Sequence, residues 1–208
     1  MSESAGKFDP HVIQPGQPAW RIALLYPPQG SWTESDYLLL DAGRLVEFDQ
    51  GCVEVLDMPS KEHQRIVQFL YRLLFAFVHG QRLGEVFVAP LPVRLWDNKF
   101  REPDVLFIAA DRPEYQGCPD GADLVIEVVS EGTANRQRDL ETKPNEYRLA
   151  GILEYWIVDP FEERVIVAWQ RNGEYATETV ARGESFCSTH LPGLEVKVDE
   201  ILDAAKAI

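Results

Sequence analysis

Cysteine is scarce in this sequence and follows no ligand-like or paired pattern. The only three, Cys52, Cys118 and Cys187, are odd in number, far apart and outside any CxxC pair. A disulfide framework needs an even set of cysteines, and a zinc knuckle needs closely spaced pairs. The sequence therefore supports neither class of small stapled domain.

Long apolar runs are also missing. The longest covers six residues, Val105 to Ala110, whereas a membrane-crossing helix needs roughly 20. The opening segment, MSESAGKFDPHVIQPGQP, lacks the basic region and apolar block of a secretory signal. We therefore expect a soluble protein of the cytoplasm.

Positive charge is in short supply. The 208 residues include 20 Lys and Arg against 34 Asp and Glu, a formal net charge of −14. Affinity for polyanions arises mainly from neutralising phosphates with Lys and Arg, so a nucleic-acid function would need a bound metal ion or a local basic patch. The G-x-S-x-G nucleophile elbow and the GxxxxGK[ST] phosphate loop are absent too.

The remaining composition is that of an ordinary globular chain. Hydrophobic residues make up 45% and charged residues 26%, and a chain of this length can bury about 70% of its surface. Residues 1–31 contain five prolines around short apolar pieces, which predicts an arm laid over the domain. Residues 32–208 are predicted to form one domain.

Local patterns in the first half predict two helices and a hairpin. Thr33 is typical of a helix N-cap, and the helix would cover 34–42. A hairpin would turn at residues 49–51. The second helix would begin after Ser60 and cover 61–80, because apolar residues recur there at helical spacing.

The second half predicts a mixed sheet. A polar stretch from Thr133 to Ala150 and the residues from Asp199 to Ile208 are predicted helices. Six segments rich in β-branched and aromatic residues are predicted strands: EVFVAP, PVRLW, DVLFIA, DLVIEVVS, EYWIVD and RVIVAWQ. This order indicates an α/β or α+β fold with a central mixed sheet flanked by helices.

Two carboxylates lie in strands that are otherwise apolar on both faces. Asp104 begins DVLFIA directly after Pro103, and Glu127 lies in the middle of DLVIEVVS. A buried carboxylate must be paired, neutralised or bound to a cation. Neighbouring strands lie about 4.8 Å apart, so both carboxylates could hold one Mg²⁺ or Mn²⁺ ion. An ordinary ion pair at Glu127 is the open alternative.

Four polar residues of the helix predicted after Glu127 share one face. Their positions are 3, 4 and 4 residues apart: Arg136, Asp139, Lys143 and Tyr147. Facing the strands, this stripe would place Lys143 beside a metal-bound water and Arg136 nearer a substrate phosphate. Facing water, it would carry only an Asp139–Lys143 pair, worth about 0.3 kcal/mol. Spacing alone leaves both interpretations open.

Three longer segments resemble the signature segments of the Uma2 family, once called a domain of unknown function: REPDVLFI, DLVIEVVSEGT and RDLETKPNEYRLAGILEYWIVDP. The resemblance extends upstream to GCVEVLDMPSKEHQRIV and covers roughly Thr33 to Trp169. That family is placed among the PD-(D/E)XK nuclease-like folds. The resemblance therefore implies a restriction-endonuclease-like core.

The resemblance also assigns roles to individual residues. Asp104 matches the Asp of the PD motif and Glu127 the acidic residue of (D/E)XK, which implies that both are metal ligands. Val129 stands where the superfamily has its motif lysine. Uma2-like sequences offer a substitute lysine in the following helix, at the place of Lys143. Pro144 comes directly after it, and a proline inside a helix can kink it and redirect the lysine.

His63 is the remaining candidate. It lies on the stripe of Ile66 and Leu70 and is predicted to face the sheet. A histidine there can be an ordinary core residue, but the Uma2-like pattern also has a histidine at this position, which implies a catalytic, site-lining group. Glu62 and Glu54 are weaker candidates for an outer carboxylate.

The resemblance implies a metal-dependent endonuclease acting on nucleic acid, DNA rather than RNA. Asp104 and Glu127 would hold Mg²⁺ or Mn²⁺, and Lys143 would steady the developing negative charge. Three features favour a catalytically inactive binding module of the same fold: the net charge of −14, Val129 and Pro144. A hydrolase of another phosphoester would share the metal site.

The EYWIVD segment, residues 154–159, is predicted to pair with RVIVAWQ. Tyr155 and Ile157 would share one face of the strand, and Trp156 and Val158 the other. Aromatic strands near a sheet edge often serve association. This segment therefore predicts a homodimer.

Overall fold

The computed structural model describes residues 25–40, 43, 45–113 and 117–206, with only the backbone of 133 and 134. Residues 1–24 of the predicted arm lie outside these ranges, as do 41, 42, 207 and 208 at the ends of two predicted helices. The division into arm and domain therefore stays a prediction.

The elements alternate between short strands and a few helices. In chain order they are α1 (Glu34–Leu38), β1 (Val46–Asp49), β2 (Cys52–Val55), α2 (Lys61–Gln81), β3 (Gly84–Val88), β4 (Val93–Trp96), β5 (Lys99–Arg101), β6 (Val105–Ala109), β7 (Leu124–Val128), α3 (Thr133–Gln137), a π-helical turn (Arg138–Thr142), α4 (Lys143–Leu149), β8 (Glu154–Asp159), β9 (Arg164–Arg171), β10 (Glu174–Ala181), β11 (Ser185–Cys187), β12 (Glu195–Lys197) and α5 (Val198–Asp203).

A six-stranded mixed sheet forms the centre of the fold, in the order β10-β9-β8-β7-β6-β3. Its neighbours are antiparallel except β7 and β8, which run parallel. A four-stranded sheet, β2-β1-β5-β4, and the pair β11-β12 complete the architecture. The expected mixed α+β class is confirmed. No helix in the described part of the chain is long and apolar enough to cross a membrane.

Helix α2 covers one face of the central sheet. The Ser60 hydroxyl accepts a hydrogen bond from the backbone N–H of His63 at 3.1 Å and caps the first turn. Ile66, Leu70 and Leu74 are completely buried against the sheet, as their helical spacing predicts. The helix ends at Gln81, one residue beyond the predicted end.

Two further local predictions, the first helix and the hairpin, are confirmed in type, although the helix is shorter than predicted. Thr33 and Asp36 form the capping box of α1, but this helix ends at Leu38 rather than near Ala42. The predicted hairpin joins β1 and β2 through a two-residue turn, Gln50-Gly51, in which both residues have positive φ. Positive φ at both turn residues suits the twist of a tight hairpin.

The predicted helix over 133–150 consists of three pieces. Helix α3 gives way to the π-helical turn, and α4 begins at Lys143 with Pro144 in its first turn. The backbone stays helical through Thr142, and the N–H of Lys143 bonds to the carbonyl of Arg138, five residues earlier. Pro144, which has no N–H to donate, therefore follows a π-helical turn inside a continuous helical segment.

Strand β8 lies inside the sheet, between β7 and β9, and all six of its residues are buried. Trp156 and Val158 pack on the α2 side, and Tyr155 and Ile157 on the other. The alternation and the pairing with β9 are as predicted, but the position near a sheet edge was wrong. The predicted homodimer rested on an edge position of this strand, so the fold gives it no support.

The carboxylate of Asp159, the last residue of β8, accepts four hydrogen bonds. The donors are Arg136 Nη1 and Nη2, at 3.0 and 2.8 Å, and the backbone N–H groups of Phe161 and Glu162. Burial alone would raise the pKa of Asp159, but the hydrogen bonds and charge of Arg136 lower it.

Replacing Asp159 by Asn should lower the free energy of unfolding by about 1–3 kcal/mol near neutral pH, because charge-assisted hydrogen bonds are lost. Since folding lowers the pKa of Asp159, its stabilisation exists above the ordinary aspartate pKa and disappears as the pH falls through the lowered value. Urea unfolding should therefore show the deficit shrinking in acid.

Asp97→Asn is the matched control. Asp97 is paired with Arg94 at 2.8 Å, but its side chain is 88% exposed, so its loss should cost less than about 0.5 kcal/mol. Equal costs for the two variants, or a deficit of Asp159→Asn that grows in acid, would contradict this account.

Candidate active site

The strand pairing brings the two predicted carboxylates to neighbouring positions. Strands β6 and β7 are antiparallel, with Val105 opposite Ile126, so Asp104 and Glu127 lie at the next pair of positions. The backbone N–H of Val128 donates to Asp104 Oδ2 at 2.8 Å. Both residues are buried, with at most 9% of their surface exposed.

Helix α4 supplies the partners of Glu127. Lys143 Nζ and the Tyr147 hydroxyl each donate to Glu127 Oε1 at 2.7 Å. Tyr147 is completely buried, with its ring packed edge-on against Tyr155. The stripe of Lys143 and Tyr147 therefore faces the strand carboxylate rather than water. Glu127 is also in the ion pair that the alternative interpretation proposed.

Lys143 lies among three carboxylates. Its Nζ is 2.7 Å from Glu127 Oε1, 3.4 Å from Glu47 Oε1 and 3.5 Å from Asp139 Oδ1. Burial alone would lower the pKa of Lys143, but these charges outweigh it and hold the pKa well above its usual range. The side chain is therefore an ammonium that can donate hydrogen bonds and offset negative charge, but cannot accept a proton.

A second group of ion pairs is joined to that of Lys143 through Glu47. Arg101 Nη1 pairs with Glu47 Oε2, and Arg101 also binds both oxygens of Glu146 at 2.7 and 2.9 Å. Lys99 Nζ contacts Glu146 Oε1 at 2.7 Å. These contacts connect β1 and β5 to α4. The network thus fixes the start of α4, on which the position of Lys143 depends.

Sequence reasoning missed this network. Glu47 lies between two apolar residues of a short strand, where alternation does not separate a buried carboxylate from an exposed one. Arg101 lies within REPDVLFI, three residues before Asp104. Its charge beside a predicted site carboxylate was a signal, but its partners are more than 40 residues away.

His63 contacts the other site carboxylate, Asp104. Its Nε2 is 3.2 Å from Asp104 Oδ2, and Nδ1 is buried with no hydrogen-bond partner in the described chain. Burial alone would lower the pKa of His63, but the hydrogen bond and charge of Asp104, with Glu127, raise it. The structure therefore places His63 at the site, in contact with Asp104.

Other candidates lie elsewhere. Arg136 does not approach the carboxylates, because its guanidinium is bound to Asp159, and the prediction that it lies near a substrate phosphate was wrong. Glu54 is exposed and pairs with Arg138 at 3.2 Å, and Glu62 is exposed. Val129 packs in the core with Tyr147.

A small cavity of about 40 Å³ lies between these groups, lined among others by His63, Asp104, Glu127, Asp139 and Lys143. Burial raises the pKa of Glu127 and of Asp139 against the effect of Lys143, and nearby carboxylates add to the rise. Asp139 Oδ1 is buried and has no hydrogen-bond partner among the described residues. Among the described residues that line the cavity, five are Asp or Glu and two, Arg138 and Lys143, are Lys or Arg, so acidic groups outnumber the permanent cations.

The residues fit a hard divalent cation. Mg²⁺ is commonly held by one or two carboxylates, with water and substrate phosphate completing its shell. Asp104 and Glu127 provide such a pair, and oxygen ligands favour Mg²⁺ or Mn²⁺ over zinc. No group of three or more His, Cys, Asp or Glu side chains in the described ranges is arranged to hold a metal, so the protein's share would be this pair.

Replacing Lys143 by Met should destabilise the fold by about 3–5 kcal/mol near pH 7, because three buried carboxylates lose their shared cation. Lys143 is the first of the charges that lower the pKa of buried Glu47, so without it burial raises that pKa. A carboxylate whose pKa is raised by folding destabilises most when ionised, so the deficit should shrink as Glu47 is protonated in acid. Denaturant unfolding from about pH 7 to pH 4 measures this.

Adding Glu127→Gln to Lys143→Met should recover part of the loss, since one unpaired charge is removed. Lys206→Met, at a side chain 71% exposed, is the matched control and should change stability by less than about 0.5 kcal/mol. A Lys143→Met protein as stable as wild type at pH 7 would refute the proposed role of the ammonium.

The fold also occurs in known proteins. A sequence model of the Uma2 family, described as "Putative restriction endonuclease", matches residues 33–199. The chain resembles a crystal structure described as "a putative nuclease belonging to DUF820" from Anabaena variabilis ATCC 29413, with a TM-score of 0.70 and 18% identity, over 84% of this chain and 99% of that one. At this identity the likeness shows the fold alone. Comparison with curated proteins gives no match.

Proposed function

The chain belongs to the Uma2 family, and from that premise we propose that it is a metal-dependent nuclease that hydrolyses phosphodiester bonds. The observation that carries the proposal is the buried pair of Asp104 and Glu127 on adjacent strands, with the ammonium of Lys143 at 2.7 Å from Glu127. The family description names a restriction endonuclease, which favours DNA over RNA. The cytoplasmic location and the homodimer stay predictions.

Asp104 and Glu127 are the residues that would hold Mg²⁺ or Mn²⁺. Such an ion would supply Lewis-acid polarisation of a phosphoryl oxygen and offset the repulsion between the acidic site and the nucleic-acid backbone. It would also balance the excess of negative charge in the cavity. Tyr147 orients Glu127 by its hydrogen bond to Oε1, and His63 contacts Oδ2 of Asp104.

Lys143 has an electrostatic role in this proposal. Its raised pKa keeps it protonated, so it serves as a fixed positive group rather than a general base. Phosphodiester hydrolysis places additional negative charge on the phosphoryl oxygens in the transition state. A preorganised ammonium at the wall of the cavity stabilises that charge without reorganisation.

Purified protein with Mn²⁺ should cleave supercoiled or single-stranded DNA, and Asp104→Asn should reduce the rate by at least about 100-fold. Asp97→Asn is the matched control, because it makes the same change at an exposed position and should leave cleavage unchanged. Both variants should first be shown to unfold at temperatures close to that of wild type. Cleavage by Asp104→Asn at the wild-type rate would overturn the assignment.

A non-catalytic module is the second candidate. It is favoured by Lys143 itself, whose buried ammonium already contacts three carboxylates within the protein. A buried ion network can be purely structural. In that case Asp104 and Glu127 would retain the fold without binding a metal.

Calorimetry distinguishes the two candidates without relying on turnover. An active site should release or absorb heat on titration with Mn²⁺, and Asp104→Asn should abolish the signal while Asp97→Asn retains it. The metal competes with protons for the carboxylates, so its affinity should fall as the pH is lowered. A signal that is absent in wild type, or unchanged in Asp104→Asn, would favour the non-catalytic module.

A further inference from the structure

A large groove begins where the candidate site ends. It measures about 740 Å³ and shares Glu102 and Asp104 with the small cavity as lining residues. Its described walls are the solvent-facing side of α2, the residues Leu38, Leu40, Gly43 and Leu45 at and after the end of α1, and the end of β3 with the segment after it. Its volume is within the range of about 300–1,000 Å³ that is usual for small-ligand sites.

The chemistry of the groove differs from that of a phosphate-binding surface. Among the described residues that line it, none is Lys or Arg, and Glu102 and Asp104 are the only charged ones. The other lining groups are mainly apolar side chains, with the rings of Tyr37 and Tyr71 among them. Phosphates need cationic partners to bind, so the sugar–phosphate backbone does not suit this groove.

One helix face brings together groups that suit a nucleobase. Gln64, Gln68 and Tyr71 follow each other at four and three residues along α2 and all line the groove. Both glutamines are exposed, and an amide offers a donor and an acceptor in the pattern of a base edge. A tyrosine ring and apolar walls favour a flat, neutral heterocycle by stacking and burial.

We propose that the groove binds the base of an unpaired nucleotide adjacent to the phosphodiester at Asp104, so that the substrate is single-stranded or locally unpaired nucleic acid. This inference rests on the proposed nuclease function. In a duplex the bases are paired and stacked inside and the phosphates lie outside, so a concave, mainly apolar site beside the reacting phosphate suits a base that has left the stack. Continuity with Asp104 favours a nucleotide over a peptide.

The experiment measures binding rather than cleavage. Protein with Mn²⁺ is titrated into three labelled, phosphorothioate-linked DNAs: a single strand, a single strand of equal length with abasic sites, and a duplex. Fluorescence anisotropy gives the affinities at one salt concentration. The intact single strand should bind at least about tenfold more tightly than the abasic strand, since stacking is the main source of base-dependent affinity, and more tightly than the duplex.

Variants of the groove residues test whether the preference for the intact strand arises in the groove. Gln64→Ala combined with Gln68→Ala removes both amides at exposed helix positions, where alanine preserves the helix, and should reduce the preference for the intact strand at least about fivefold. Tyr71→Leu should reduce it independently. Gln81→Ala, at the exposed end of α2 outside the groove, is the matched control and should leave the preference unchanged.

The outcomes separate this inference from the proposed function. Equal affinity for intact and abasic strands, or for duplex and single strand, overturns the base-binding role even if Asp104-dependent cleavage is observed. A preference for the intact strand that is lost in the groove variants supports the role even if no cleavage occurs, in which case only the hydrolysis fails. Light scattering that shows a dimer broken by the glutamine variants would overturn the inference, because the groove would then bind a second copy of the chain.

Discussion

The arrangement depends on one buried ammonium. Lys143 lies within 3.5 Å of carboxylates from β1, β7 and the π-helical turn. A charge buried without partners would be too costly to retain, so the three segments and the lysine must assemble together. This interaction fixes the oxygen of Glu127 that faces α4 and thereby the geometry of the site on which the functional proposal rests.

The same interaction explains why the site carries unbalanced charge. Glu47 is satisfied by Lys143 and Arg101, which together lower its pKa although burial alone would raise it. Glu127 and Asp139 have raised pKa values, because burial and neighbouring carboxylates outweigh what the cations supply. Such unfavourable clusters are most common where charge is needed for binding or chemistry. A divalent cation bound beside Asp104 would relieve the repulsion among these carboxylates, and that relief would contribute to the affinity for the metal.

Local patterns account for the fold better than for the site. The stripe of α2 and the alternation in β8 follow from periodicity, so their burial could be predicted. The nearness of Asp104 and Glu127 was expected only on the condition that their two apolar strands are neighbours, and the pairing of β6 with β7 meets that condition. The partnership of Glu47 with Arg101 joins residues 54 apart, and no local pattern encodes it. The interior position of β8 depends on β9 and β10, of which β10 is polar enough to be missed.

Manganese soaked into crystals of the protein would test the account most directly, because its anomalous scattering locates the ion without assuming its ligands. The account predicts one ion bound by the carboxylates of Asp104 and Glu127, with Lys143 still at the cavity wall. Manganese found elsewhere, with Glu127 still bound only to Lys143 and Tyr147, would contradict it and leave a structural ion network within a nuclease-like fold.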